Sequence, residues 1–443
     1  MASESQDLRR LYFSRWAVAG LFLLVMILTF VRSHNAYIYP ILHYEDGTIM
    51  FAYYINHPAV AGIFRFNGGY ISLLPNGIGY IATRLPLVFA PYFMGIISLL
   101  ISACAYTVFA LPRYRFVLAN DWDRYILCLV MALFPLGNSA IHSSATYSQW
   151  HLLWLFLMLL LAPFPSLPFL AICQFVFLAL AAWSHPLSIL GIPVLSFLLI
   201  TRRGWGERIA YTGLIAIILA YQILGVQSGD ALQNVTPQAA WATGKYILHR
   251  VVFESVFGNT LRLALSGQHL EWVITTAASA TIGVVGVLLW IGWRRVSCAG
   301  FLFLCGLLLI IGGVTAGSVV GRSLDGNNHL GAWEQRYFYL SQMAFVLLSA
   351  LAVLLALQTS KWRQTVRVAA PLVGFVLVGC LLWSNLANGA WFYTSKEVGQ
   401  NVQAFVKEVD RRFFHRDKDE DESALVFERG GYWDIRIELS PTQ

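Results

Sequence analysis

Long apolar runs, broken by short polar or basic stretches, set the plan of this chain. A helix needs about 20 mostly apolar residues to cross a membrane. Runs of that kind recur at 11–31, 87–111, 125–142, 149–163, 166–184, 187–201, 208–226, 272–293, 298–317, 338–358 and 368–385. The runs lack the hydrophilic face that a helix on the surface of a soluble domain would show. The pattern predicts an all-α polytopic membrane protein with about eleven transmembrane helices. The runs at 149–163 and 187–201 are short, and the prolines of "PFPS" (163–166) mark a turn between two of them.

Basic residues orient the chain. Cytoplasmic loops carry the excess of Lys and Arg. Arg9, Arg10 and Arg15 place the N-terminus inside. Alternation then puts Arg113 and Arg115, Arg202, Arg203 and Arg208, Arg294 and Arg295, and Lys361, Arg363 and Arg367 on the same side. Residues 32–86, 227–271 and 318–337 all fall outside, together with the tail from 386. Loops on a rigid scaffold are where function concentrates, so this asymmetry directs attention to one face. The first run reads as a retained helix without a small-residue cleavage site. The expected setting is a bacterial inner membrane, N-terminus cytoplasmic and C-terminus extracytoplasmic.

Two domains are expected: a transmembrane unit over 1–385, with its first outer loop at 32–86, and a small tail over 386–443. Within the first loop, the segment after Asp46 reads as a short helix. Residues 68–86 read as a re-entrant or interfacial helix, broken by Pro75, Asn76, Gly77 and Gly79. In the tail, Val398, Val402, Phe405, Val406, Val409 and Phe413 recur at helical spacing, "HRDKDEDES" is a solvated charge run, and alternation around Gly430 and Gly431 predicts a hairpin.

Composition agrees. The chain is 58% hydrophobic and 12% charged, about half the charge of a soluble domain. The net charge of +7 resides in the loops that set topology, and it does not point to nucleic acid. The six cysteines lie in or beside apolar runs without CxxC spacing, so neither a disulfide nor a metal cluster is expected.

Candidate chemistry begins with "HYEDGTIMFAYYINH" (43–57), which sets Glu45 beside Asp46 just past the first greasy run. Asp46 could cap the helix that follows. It could also be a base, because burial near an apolar interface raises a carboxylate toward neutrality. The pair could hold a divalent cation, Mg or Mn. In "GAWEQRYFYL" (331–340), Arg336 and Tyr337 stand where an outer loop enters a helix; the arginine could grip a phosphate or snorkel beside Trp333. Lys245, His249 and Arg250 give a basic face at helical spacing, suited to a lipid phosphate or to a plain interfacial helix. His142, His151 and His185, at the outer ends of runs, read as packing residues.

A first helix, then an outer loop with an acid motif ("YEDG") and interfacial helices, then about ten further crossings, resembles the GT-C superfamily of polytopic glycosyltransferases. The likeness covers the layout of residues 1–385. It implies a sugar moved from a polyprenyl-phosphate donor to a glycan, lipid or protein acceptor at the extracytoplasmic face. Asp46 would be the general base, assisted by Glu45, and the phosphate would be held by Arg336, Tyr337, Lys245, His249 and Arg250. The chain lacks a Trp-Trp-Asp sequence of the oligosaccharyltransferase type and any mark of a particular subfamily. A secondary transporter or lipid flippase would place ionisable residues mid-span. An O-antigen polymerase or ligase would rest on Arg and His in a late loop. No P-loop, nucleophile elbow, HExxH or dinucleotide motif is present.

Overall fold

The apolar runs become helices because a backbone inside hydrocarbon must satisfy its own polar groups. A computed structural model describes residues 2–38, 42, 45–67, 69–133, 139–201, 204–226, 236–292, 296–321, 337–359, 396–414, 424–427 and 435–438. The first helix, α1, covers Ala2–Arg32 and is followed by α2 (His34–Ile38). The next segment holds a π-helix at Asp46–Ala52, α3 (Tyr53–Asn56), a short pair β1 (Phe66–Asn67) and β2 (Tyr70–Ile71), and α4 (Leu73–Ala82). The bundle continues with α5 (Ala90–Thr107), α6 (Asp121–Leu133), α7 (Ser139–Ser143), α8 (Ser148–Leu161), α9 (Pro168–Ala182), α10 (Gly191–Thr201) and α11 (Trp205–Leu224). A connecting region then holds α12 (Pro237–Tyr246), a second π-helix at Ile247–Phe253, α13 (Glu254–Phe257) and α14 (Asn259–Gly267). Three long helices follow: α15 (Glu271–Gly292), α16 (Cys298–Gly321) and α17 (Tyr339–Thr359).

Among the described residues, five segments are long and apolar enough to cross a membrane: Leu87–Ala110, Trp205–Leu224, Glu271–Gly292, Cys298–Val320 and Tyr339–Leu357. Four shorter apolar helices join them, at Trp16–Arg32, Ser148–Leu161, Pro168–Ala182 and Pro186–Thr201. The fold is therefore that of an all-α membrane protein. Two expected crossings are described in part or not at all. In the run at 125–142, α6 is described to Leu133 and α7 from Ser139, and 134–138 lie outside the described residues. The run at 368–385, and the basic cluster Lys361, Arg363 and Arg367, lie outside the described residues.

Part of the first connecting segment docks on the ends of α9 and α11. Tyr70 bridges Val226, and the Leu73 N–H donates to the Trp183 carbonyl at 3.1 Å. Tyr221 Oη donates to the Ile71 carbonyl at 2.8 Å, and Ser318 Oγ to that of Tyr337 at 2.8 Å. At the other end Ser297 Oγ donates to the Phe116 carbonyl at 3.1 Å. An apolar groove of about 430 Å³ opens there, lined by Phe116, Leu161, Phe197, Leu302, Phe303 and Gly306 among others.

Helix α4 runs straight through Pro75, Asn76, Gly77 and Gly79, which were expected to break it. Pro75 falls in the first turn, where no intrahelical N–H is required. Asn76 accepts from Asn67 Nδ2 at 2.7 Å and donates to the Ile63 carbonyl at 2.9 Å. Gly79 makes room for Met50, whose Cβ would stand 2.7 Å from a Cβ placed there. At 10 residues, α4 is too short to span a membrane.

In the tail, α18 (Lys396–Phe414) precedes an antiparallel hairpin of β3 (Ala424–Phe427) and β4 (Ile435–Glu438), paired Ala424 to Glu438 through Phe427 to Ile435. Val402, Phe405, Val406, Val409, Ile435 and Ile437 bury their side chains in one cluster with Leu42, Met50, Phe51, Tyr54, Leu87, Ala90 and Ala145. The described part of the tail thus shares a hydrophobic core with the first connecting segment.

Candidate functional site

The acid pair stands where the first π-helix begins. Glu45 precedes the helix and Asp46 is its first residue. Asp46 does not cap this helix. Its side chain turns instead to the connection between α7 and α8, about a hundred residues on. Oδ1 accepts from Ser144 Oγ at 3.0 Å, from the Thr146 N–H at 2.8 Å and from Thr146 Oγ1 at 2.8 Å. Oδ2 accepts from the Ala145 N–H at 3.2 Å. Two successive backbone N–H groups just ahead of the α8 N-terminus form an anion-holding concavity. The carboxylate fills it and is 1% exposed.

Burial pushes the Asp46 carboxyl up to about 6; the Thr146 and Ser144 hydrogen bonds oppose that shift, and the neighbouring Glu45 adds to it. Glu45 itself is half-buried, and its Oε2 accepts from Tyr147 Oη at 2.6 Å. The two acids are therefore unlike: one is enclosed by donors, the other sits at the edge with a tyrosine for company.

Around the pair, the run His142–His151 acts as an organiser. Its side chains and amides reach partners on the first connecting segment, α5 and α17. Gln149 Oε1 accepts from Tyr70 Oη and Ser72 Oγ, both at 3.2 Å. The Trp150 ring lies 4.4 Å from His185 and 6.3 Å from Tyr337. His151 Nε2 pairs with Tyr339 Oη at 2.7 Å, and Tyr339 Oη with Tyr106 Oη at 2.6 Å. His142 and His151 are both fully buried, with ring centroids 5.6 Å apart. The expectation that these histidines are packing residues stands, with the addition that they belong to one hydrogen-bonded cluster.

A second charged region lies on and after the second π-helix. Lys245 Nζ pairs with Glu271 at 3.0 Å. His249 Nε2 meets Thr275 Oγ1 at 2.9 Å, and burial lowers this imidazole to about 4, so it is neutral at pH 7. Arg250 points elsewhere, 5.4 Å from the Phe338 ring, and bonds Glu254 at 3.3 Å. Arg262 meets the same Glu254 oxygen at 3.2 Å and donates to Asn259 Oδ1 at 2.8 Å. Burial, opposed in part by Glu254 and reinforced by Arg250, brings Arg262 down to about 10. The single basic face expected of Lys245, His249 and Arg250 is thus divided: Lys245 and His249 turn to α15, and Arg250 forms a buried Arg–Glu–Arg triad.

Tyr337, Phe338 and Tyr339 reach three different surroundings in succession: Trp150, Arg250, and the His151–Tyr106 cluster. Arg336 lies outside the described residues. Among the described residues, no three His, Cys, Asp or Glu side chains gather to hold a metal. With three donors on its Oδ1, Asp46 is poorly placed to bind Mg or Mn, so no chemical step is assigned to a cation.

The organising run was hard to see in the sequence. "HSSATYSQWH" carries no charge and no motif; its only signal is a density of hydroxyl, imidazole and amide groups between two apolar runs. Arg262 was likewise silent, since its pairing with Glu254 spans the turn at Gly258, which adopts φ 83°. No model of a protein family, no curated protein and no solved structure matches this chain.

Proposed function

We propose that this protein is a membrane glycosyltransferase that moves a sugar from a lipid-phosphate donor to a hydroxyl acceptor, with the acid end of the bundle facing away from the cytoplasm. The observation that carries this reading is the acid pair itself. Hydroxyl and amide donors of the α7–α8 connection enclose Asp46, and Glu45 beside it takes the Tyr147 hydroxyl. In such a transfer, the acceptor oxygen attacks the anomeric carbon while its proton passes to a carboxylate. The bond from that carbon to the donor phosphate breaks, and the lipid phosphate leaves with the electron pair.

The geometry divides the labour between the acids. A base must lie within reach of the acceptor, and Asp46 is buried whereas Glu45 is half-buried. Glu45 at the edge fits the base better than Asp46, which the sequence favoured. Asp46 then serves as a positioning residue that locks Glu45 against Tyr147. The donor phosphate is assigned to the basic side of this end: Lys245, Arg250, Arg262, Tyr337 and, by sequence, Arg336.

The test is transfer in vesicles supplied with a polyprenyl-phosphate sugar and a hydroxyl acceptor. Glu45→Gln should lower the rate on the order of 10²–10⁴ while melting as the wild type does. Near wild-type transfer by Glu45→Gln with loss in Asp46→Asn would return the base to Asp46. Retention in both would remove the acid pair from the chemistry.

A further inference from the structure

The tail is built onto the acid helix. Gly47, the residue after Asp46, is buried under β4: a Cβ there would stand 2.5 Å from Ile435 Cδ1 and 2.9 Å from Ile435 Cγ1. Ile435 and Ile437 are both fully buried. Their partners in the cluster, Met50, Phe51 and Tyr54, lie on the π-helix and α3, directly after the acid pair. A second anchor holds α18. Val402, Phe405, Val406 and Val409 present one apolar face to Leu87 and Ala90, and Gln403 Nε2 donates to Tyr92 Oη at 2.8 Å. Ala145, whose N–H binds Asp46, is fully buried in the same cluster. The tail, the acid helix and the anion-holding turn are therefore three walls of one small core, separate from the main core of the bundle.

We propose that the C-terminal tail is a built-in cover of the acid site, with Ile435 keyed into the notch at Gly47, so that the helix carrying Glu45 and Asp46 keeps its position only while the tail is docked. The glycine of "YEDG" then has a cause that is independent of chemistry: any side chain at 47 would occupy the place of Ile435. Gly47 does not have a positive φ among the described residues, so the need is for space, not for a left-handed turn. The cover rests on packing alone. Only its effect on rate depends on the transferase reading.

Hydrogen exchange on the full-length protein in nanodiscs tests this with Gly47→Ala, Ile435→Ala and the double variant. Each single change should speed exchange both in the hairpin 424–438 and in residues 45–56 and 144–147, while 247–262, in the other charged region, stays as in the wild type. In the double variant the new methyl has room, so the acceleration should be less than the product of the two singles by about two-fold or more, the signature of residues in contact. Acceleration confined to the hairpin, with 45–56 unmoved, would overturn the proposal; so would singles whose effects simply multiply. Should Gly47→Ala fail to fold, Ile435→Ala alone still decides, through whether 45–56 follows the hairpin. If the wild-type protein transfers no sugar, the transferase reading fails while these exchange results still stand or fall by themselves.

Discussion

Two stretches of the described chain wind as π-helix, Asp46–Ala52 and Ile247–Phe253. This wider winding is rare and recurs at functional sites. Each carries a buried charge, and they settle it in opposite ways. Asp46 is held by hydroxyls and amides, with no cation bonded to it among the described residues. Arg250 and Arg262 share one carboxylate, Glu254. Neutral donors leave the first group able to change protonation within a physiological range. Ionic pairing holds the second as a buried Arg–Glu–Arg cluster. The first arrangement responds to pH, and the second stays ionic across the same range.

Breaking the ionic side should have the largest effect. Glu254→Ala leaves two arginines buried without their shared carboxylate, and removal of one partner from a buried ion pair costs about 3–5 kcal/mol. Thermal unfolding in detergent would measure it. Loss under about 1 kcal/mol would show that water reaches the triad and that its charges are exposed pairs.

Titration should come next. Asp46 binds its proton more tightly folded, at about 6, than unfolded, at its ordinary 3.8. The raised value means that stability is fullest below about 4 and falls as pH rises through about 6. At 1.36 kcal/mol per unit, the loss is on the order of 3 kcal/mol. Asp46→Asn should flatten this slope. A wild-type profile that rises between pH 4 and 6 would mean that the four donors outweigh burial and that the first π-helix, too, holds a fixed ion.

Much of the scaffold was legible because hydrophobic period and proline are local signals. The long helices α11, α15, α16 and α17 start and stop within a few residues of the apolar runs. The tail helix and its hairpin follow their alternation in the same way. Side-chain partnerships were not legible. That Asp46 meets Thr146 rather than its own helix depends on how α5, α7 and α8 pack, and sequence spacing carries no trace of it. The basic face at 245–250 failed for a related reason: His249 and Arg250 are adjacent, neighbours in sequence do not share a helix face, and His249 meets Thr275 while Arg250 meets Glu254.

A smaller change sharpens the neutral side. Thr146→Val keeps the shape and the backbone N–H but removes one hydroxyl donor from Asp46 Oδ1. Hydrogen bonds to charged groups are worth about 1.5–3 kcal/mol, so stability at pH 7 should fall by that order, with less loss at pH 4, where Asp46 is protonated. An equal loss at both pH values would mean that the threonine acts through packing rather than through the carboxylate.

The smallest effect is expected at the rim of the basic region, and it separates stability from binding there. Lys245 and Glu271 pair at 3.0 Å with side chains 21% and 35% exposed, and exposed ion pairs contribute about 0–1 kcal/mol. Glu271→Gln should therefore leave melting nearly unchanged. It also removes the carboxylate that competes with an incoming phosphate for Lys245. Arg250 and Arg262 bond the buried Glu254, whereas Glu271, the partner of that lysine, lies at an accessible edge. Binding of vesicles containing a polyprenyl phosphate should tighten modestly in Glu271→Gln and weaken in Lys245→Ala, with both differences shrinking as salt rises. If neither variant changes binding at low salt while Arg262→Ala does, the anion is held by the buried triad alone, and Lys245 belongs to the surface rather than to the site.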